Sequence, residues 1–196
     1  MTSTALAPPR QDRAASVRAA LRRLVAERGF HGASMSAVAK EAGVATGTAY
    51  VHYDSKDELV LAAYLETKLR LGEAAAAELD LRAAPEQQFR ALWLGAHRHL
   101  AADPGEARFL IQVDGSPYAE VAHTTAMERE DDPLVRAAEQ PAMAARLLPL
   151  PLEVLYELGM APAVRLAARE LRLSTREIDL IAAACWRAIT RPDQAA

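Results

Sequence analysis

Residues 34–53, SMSAVAKEAGVATGTAYVHY, decide the fold because they predict two short helices joined by a tight turn. Ser34 is a residue type that caps helix N-termini, since its hydroxyl accepts a hydrogen bond from a free backbone N–H. The apolar residues that follow recur at the spacing of one buried helix face: Met35, Val38, Ala39 and Ala42. Gly43 supplies the turn, and a brief second helix is expected over residues 46–52.

The second helix of this pair carries small, hydroxyl-bearing and aromatic side chains: Thr46, Gly47, Thr48, Tyr50 and His52. Because glycine has no side chain, Gly47 lets the helix approach another surface closely. Threonine offers a hydroxyl and a methyl group to DNA, and Lys56 places a cation at the start of the next helix. In helix-turn-helix proteins the second helix lies in the major groove. The pattern predicts a DNA-binding surface; the alternative is the polar surface of a small bundle.

The distribution of charge agrees with a DNA-binding face near the N-terminus. Residues 10–56 hold eight basic and four acidic residues, a net charge of +4. The rest of the chain holds 15 basic and 22 acidic residues, a net charge of −7, which brings the total to −3. A basic unit on an acidic body favours a nucleic-acid face, although chance variation in charge is the alternative.

The N-terminal half of the 196-residue chain predicts helices around this motif. A first helix is expected over residues 11–28, where Gly29 ends it in the left-handed conformation. Ser55 and Glu58 have the spacing of a capping box, in which each side chain accepts a backbone N–H of the other. The helix that they begin is expected to reach about residue 79, long enough to join two domains.

The C-terminal half also predicts helices, with no segment that alternates as a strand does. Prolines between residues 133 and 162 predict short or kinked helices, because proline removes a backbone donor. Ser174 and Glu177 form a second capping box, which opens a final helix. We therefore expect an all-α fold.

Several other classes of protein are disfavoured. No apolar run approaches the roughly 20 residues that span a bilayer, and the N-terminus lacks the pattern of a signal peptide, so residues 1–10 are expected to form a flexible arm. His97 and His99 point to different helix faces and do not suit one metal, and the single Cys185 lies on an apolar stripe. We expect a cytoplasmic protein that is not an enzyme and has no cofactor or metal.

The stretch GVATGTAYVHYDSKDELV, with GFHGASMSAVAKEA before it, resembles the DNA-binding domain of the tetracycline-repressor (TetR) family. The resemblance covers residues 13–60. It rests on these groups: Gly29-Phe30, Ser34 to Ser36, Ala42-Gly43-Val44, Gly47 to Tyr53, and Ser55-Lys56 with Leu59. It implies an N-terminal three-helix helix-turn-helix domain over residues 11–55. Residues 56–196 would then form a C-terminal helical bundle for effector binding and dimerisation.

The resemblance also implies which residues contact DNA: Ser34, Ser36, Thr46, Gly47, Thr48, Tyr50, His52 and Lys56. Two departures from the family pattern lie at the start of the second helix. Ala45 stands where the family usually has Ser or Thr, so the N-cap either shifts to Thr46 or is lost. Thr46 stands where the family often has a cation, which removes one phosphate contact.

A homodimer on a palindromic DNA operator, released by a small molecule, is the mechanism that the resemblance implies. The dimer would form around residues 152–170 and 175–191, where the stripe Ile178, Ile181, Cys185 and Ile189 is either core or interface. The effector is expected to be mostly apolar, and its candidate contacts are Tyr64, Trp93, His97, Phe109, Val113, Tyr118 and Met127. The alternative function is a helical ligand-binding or protein-interaction module that has lost DNA binding.

Overall fold

A computed structural model describes residues 10–129 and 131–192, with side chains from residue 13 onward. Its α-helices are α1 (Arg10–Arg28), α2 (Met35–Glu41), α3 (Thr46–His52), α4 (Lys56–Ala76), α5 (Pro85–Ala102), α6 (Pro104–Asp114), α7 (Ala119–Met127), α8 (Pro133–Glu139), α9 (Pro141–Ala144), α10 (Leu152–Gly159), α11 (Ala161–Ala168) and α12 (Thr175–Ile189). Within the described ranges no strand occurs, apart from one isolated bridge between Leu147 and Thr190. The all-α prediction is confirmed. Residues 1–9 of the predicted arm lie outside the described residues.

Helices α1, α2 and α3 form the predicted three-helix unit around one apolar centre. Buried side chains of α1, such as Leu21 and Val25, pack with Val38 of α2 and Ala49 of α3. Two turns in this unit need a left-handed residue, and Gly29 and Gly43 provide it with φ of +66° and +69°. The turn between α2 and α3 therefore follows the predicted chemistry.

Helix α4 joins the three-helix unit to the other helices without a flexible linker. It packs against α1 on one side and against α5 on the other, while α1 also packs against α6. The main core consequently continues from α1 to Val164 and Ala167 of α11.

A second core lies between α5, α10, α11 and α12. Trp93 is fully buried there and donates an indole hydrogen bond to the Gly159 carbonyl, 3.1 Å away. Burial also raises the pKa of the Cys185 thiol. Within the predicted α12 stripe, Cys185 and Ile189 are buried and Ile178 and Ile181 are half-buried against this core. The packing therefore favours the core interpretation of that stripe.

Two helix ends differ from the sequence-based expectation. Helix α4 ends at Ala76 rather than near residue 79, and a turn bonds the Leu79 N–H to the Ala76 carbonyl. Ser55 caps α4 as predicted by accepting the Glu58 N–H, but the Glu58 carboxylate accepts the Asp54 N–H instead of closing the box. At α12 the predicted box of Ser174 and Glu177 is complete.

Candidate DNA-binding surface and effector cavity

The outer face of α3 presents most of the predicted DNA-contacting residues to solvent. Thr46, Gly47 and Tyr50 are exposed, and the Tyr50 side chain is 50% accessible although it is a large aromatic residue. Val51, which the sequence reasoning missed, is exposed beside it. On the inner side Ala49 packs into the core, and Thr48 and His52 are half-buried at the edges.

The first turn of α3 has no side-chain cap. Ala45 occupies the N-cap position with extended backbone angles, and no side chain accepts the free N–H groups. Of the two possibilities left by the sequence, the cap is lost rather than shifted to Thr46, which is already the first helical residue. The predicted contact surface thus begins on an uncapped helix.

We expect Ala45→Ser to stabilise the protein. A serine hydroxyl at this N-cap would accept an N–H of the first turn, which contributes about 1 kcal/mol. The melting temperature should rise by about 2–4 °C in a thermal unfolding scan. The reciprocal variant is Ser34→Ala, because Ser34 accepts the Ala37 N–H at the start of α2. It should lower the melting temperature by a similar amount, and an unchanged value for Ala45→Ser would contradict the assignment.

Helix α2 contributes a second polar strip beside α3. The Ser34 and Ser36 hydroxyl oxygens are exposed and lie 3.1 Å apart. Lys40 is one turn beyond Ser36, is also exposed, and has no ion-pair partner in the part of the chain that the structure describes. Because residues four apart share a helix face, Lys40 extends the strip that Ser36 begins. The four-residue spacing of Lys40 from Ser36 is the signal in the sequence that predicts this position.

Lys56, a predicted DNA contact, also makes contacts within the protein. Its ammonium donates a 2.6 Å hydrogen bond to the Phe30 carbonyl and lies 5.7 Å from the centre of the Phe30 ring. The Tyr118 ring also packs against the Phe30 ring, with the two centroids 4.9 Å apart. Lys56 therefore ties the start of α4 to the turn after α1, and Tyr118 lies at this junction.

Part of the basic charge of the N-terminal region faces inward. Arg18 donates to a Glu66 oxygen at 2.6 Å and to the Tyr53 hydroxyl at 2.6 Å, and Arg22 bonds the second Glu66 oxygen. Burial alone would raise the pKa of Glu66, but the hydrogen bonds from the two arginines outweigh it and lower the pKa. These two cations hold α1 against α4, so the charge excess overstates the DNA-facing charge.

Glu66→Gln should flatten the dependence of stability on pH. The pKa of Glu66 is lower in the folded protein than its ordinary value of 4.5, so its stabilising contribution is present above that pH. The contribution is lost as the pH falls through the folded-state pKa. Melting temperatures between about pH 7 and pH 3 should fall less steeply for Glu66→Gln than for the unmodified chain.

The matched control for this prediction is Glu41→Gln. It removes the exposed pair between Arg23 and Glu41, and such exposed pairs contribute little. The control should therefore keep the pH profile of the unmodified chain. Parallel profiles for all three proteins would contradict the role of Glu66.

A cavity opens between α4, α5, α7, α8, α9 and α10. It encloses about 690 Å³ of empty space, counted with its open mouth, and its walls are almost wholly apolar. Of its sixteen lining residues only Lys68 and Asp132 are charged. Known small-molecule sites have such a lining, mostly apolar side chains with a few polar groups. The sequence did not reveal Lys68, although a lysine one turn after Tyr64 on an apolar helix face is an unusual position.

The seven predicted effector contacts lie in different parts of the structure. Met127 lines the cavity, and Tyr64 lines a smaller one that shares Tyr156. Trp93, Phe109 and Val113 are fully buried in the cores. The His97 ring stacks on Trp93 with centroids 5.6 Å apart, and burial lowers its pKa. Tyr118 lies at the junction described above, so the seven do not form one site.

Neither a metal site nor a membrane span is found in the described part of the chain. No group of three or more His, Cys, Asp and Glu side chains is arranged to hold a metal ion among residues 10–129 and 131–192. In the same ranges no helix combines the length and the apolar character needed to cross a bilayer.

An exposed helix of a helix-turn-helix unit, joined by one long helix to a helical body, defines a DNA-binding regulator of the helix-turn-helix class. Comparison with known families identifies it further. Residues 17–63 match the model for bacterial regulatory proteins of the tetR family, and residues 85–190 match the model for a tetracyclin repressor-like C-terminal domain. The chain belongs to the TetR family of transcription regulators.

Solved structures share this fold over almost the whole chain. A TetR family transcription regulator from Marinobacter aquaeolei VT8 is 21% identical with a TM-score of 0.78, covering 93% of this chain and 97% of that one. A TetR-family transcriptional regulator from Haemophilus influenzae Rd is 24% identical with a TM-score of 0.75, covering 92% and 98%. The fatty acid metabolism regulator protein of Bacillus subtilis is 26% identical over 91 residues, and this match spans 46% of each chain.

Proposed function

We propose that this protein is a dimeric repressor that binds a palindromic operator and is released from it by a small molecule. Residues 11–55 form the DNA-binding unit in this proposal, and residues 56–196 bind the effector and dimerise. One observation carries it: α4 begins four residues after α3 ends, and Lys68 in its middle lines the apolar cavity. A single rigid element therefore connects the two sites.

The operator contacts in this proposal are the exposed and half-exposed polar residues of α2, α3 and the start of α4: Ser34, Ser36, Thr46, Gly47, Thr48, Tyr50, His52 and Lys56. Lys40 joins them because it lies on the face of Ser36. Cations and hydroxyls there would meet phosphates, and the α3 residues would meet base edges. Gly47, in the first turn of α3, has no side chain and therefore supports close approach of the helix to the groove.

The dimer in this proposal forms through the outer faces of α10 and α12. Val154 and Leu158 are exposed one turn apart on α10, and Leu180, Ala184 and Ala188 are exposed at four-residue intervals on α12. Leu180 is 58% accessible, so the chain alone leaves a large apolar side chain in water. Burial of such a stripe against a second copy would remove that cost.

Leu180→Glu should convert the dimer to a monomer, which light scattering coupled to gel filtration measures directly. Two glutamates facing each other across a two-fold axis would repel and lose solvation. Val121→Glu adds the same charge at an exposed apolar residue of α7, outside α10 and α12, and is the control that should leave the mass unchanged. A dimeric Leu180→Glu protein would place the interface elsewhere.

Helix α4 is the proposed route from effector to operator. Lys56 and Lys68 are twelve residues apart on it, about 18 Å along the axis. A ligand that moves α4 changes the spacing of the two α3 helices in a dimer. If this shift costs about 2.8 kcal/mol of operator binding, the affinity falls 100-fold.

A gel shift with the DNA upstream of the protein's own gene, at about 100 mM salt, tests the DNA-binding step. We expect a specific complex, which Tyr50→Ala combined with His52→Ala weakens at least tenfold. If the upstream region gives no complex, palindromes selected from random DNA are tested in the same gel shift. The absence of a specific complex in both experiments would refute the proposal.

A second candidate is a helical ligand-binding or protein-interaction module that no longer binds DNA. The uncapped start of α3 and the missing cation at Thr46 are the observations that favour it. A ligand-induced thermal shift without any specific DNA complex would support this alternative.

A further inference from the structure

Lys68 is a buried cation without a carboxylate partner among the described residues. Its side chain extends from the middle of α4 into the wall of the cavity, and only 8% of the residue is accessible. The ammonium lies 4.1 Å from the centre of the Tyr156 ring. Among the described residues it makes no hydrogen bond and no ion pair with a carboxylate. Lysine is rarely buried unless it is paired, since removal of its charge from water is costly.

The contact with Tyr156 compensates for only part of this cost. A cation over a desolvated aromatic ring is stabilised by the negative face of the ring, but the ring accepts no conventional hydrogen bond. The three N–H donors of the ammonium therefore remain free for another molecule. The cavity beside them offers apolar walls and no further cation.

The one acidic residue of the cavity is already engaged. The Asp132 carboxylate caps α8 by accepting the Leu134 N–H at 2.8 Å, and it packs beside Gly72, one turn along α4 from Lys68. Although Asp132 lies beside the α4 turn that follows Lys68, the two side chains form no ion pair. The Asp132 carboxylate thus stabilises the start of α8, whereas the Lys68 ammonium contacts only the Tyr156 ring and has no carboxylate partner among the described residues.

We propose that the effector is an amphipathic carboxylic acid whose carboxylate pairs with Lys68 and whose apolar body fills the cavity. This inference rests on the proposed function, because it names the chemical class of the effector for the same cavity. A carboxylate would accept the free ammonium donors in charge-assisted hydrogen bonds, which are the stronger kind. Met127, Met143 and Met160 in the walls suit apolar bodies of varied shape, since methionine adapts to irregular contacts.

Three ligands of equal chain length test the charge preference: octanoate, octanol and octylamine. Isothermal titration of the full-length protein without DNA, below micelle-forming concentrations, gives the three affinities. We expect octanoate to bind at least tenfold more tightly than octanol, and octylamine to bind more weakly than both. Equal affinities, tighter binding of octylamine, or no binding of octanoate would overturn the proposal.

The variant Lys68→Met assigns the preference to this residue, because methionine keeps the length and apolar stem of lysine without its charge. It should bind octanoate no better than octanol while its affinity for octanol persists. Arg82→Met removes an exposed cation outside the cavity, and its preference for octanoate should equal that of the unmodified chain. A Lys68→Met protein that still prefers octanoate would overturn the proposal, and thermal unfolding confirms that each variant is folded.

The operator gel shift is measured separately, so the two proposals fail in different ways. A specific DNA complex combined with no preference for octanoate would leave the regulator intact and refute only the anionic effector. Preference for octanoate without a DNA complex would leave the effector class intact and refute the regulator.

Discussion

Gly47→Glu should abolish operator binding while leaving the protein folded. A side chain at position 47 meets no atom within 4 Å, so the free protein has room for it. In a DNA complex the same side chain would stand between α3 and the groove, and its charge would face phosphates. We expect the operator affinity to fall more than 100-fold in a gel shift or an anisotropy titration.

The melting temperature of the same variant should stay equal or rise. Glutamate has a higher helix propensity than glycine, and a negative charge near a helix N-terminus is favourable. Gln87→Glu adds the same charge at an exposed position near the start of α5 and is the control for net charge. It should bind DNA nearly as the unmodified chain does. Retained binding by Gly47→Glu would show that α3 does not enter the groove.

Gly95→Ala should destabilise the protein although it replaces glycine in a helix. A Cβ atom at this position would lie 2.8 Å from the Ala75 carbonyl oxygen and 2.9 Å from the Ala75 Cα. These are backbone atoms of α4, so the clash is relieved only if α4 and α5 move apart. Overpacking of this kind costs up to about 3 kcal/mol, and the gain in helix propensity returns about 1 kcal/mol.

The expected net loss of about 2 kcal/mol corresponds to a fall of about 4–8 °C in the melting temperature. The matched control is Gly47→Ala, the same substitution in a helix with open space around it. It should raise stability by about 0.5–1 kcal/mol. If both variants changed the melting temperature in the same direction, the close approach of α4 and α5 would not be the cause.

The helix-turn-helix unit is the part of the fold that the sequence predicted best. Ser34 caps α2, Gly29 and Gly43 adopt the positive φ that their turns need, and α3 covers residues 46–52 as expected. All of these features are local, because a cap or a turn involves residues within a few positions of each other. Ser55 keeps its predicted bond, but the Glu58 carboxylate accepts the N–H of Asp54 instead of that of Ser55, because a shift of one residue within a turn is finer than a sequence pattern can predict.

The effector cavity was much harder to predict. Trp93, Phe109 and Val113 had the right residue types for a pocket, yet they fill the cores. Whether an apolar residue lines a cavity or fills a core depends on the gap between helices that are distant in sequence. The same holds for Arg18 and Arg22, whose charges looked available for DNA until Glu66, more than 40 positions away, was brought against them.

The sequence by itself determined that this chain is helical, where its helix-turn-helix lies, and that it resembles the TetR family, because capping, turn geometry and helical periodicity are encoded within short segments. Tertiary structure alone decided which cations face inward, that no side chain caps α3, and that Lys68 lies beside an apolar cavity with no carboxylate partner among the described residues. Those outcomes depend on contacts between segments far apart in the chain, and the packing of α4 against α1 and α5 sets them.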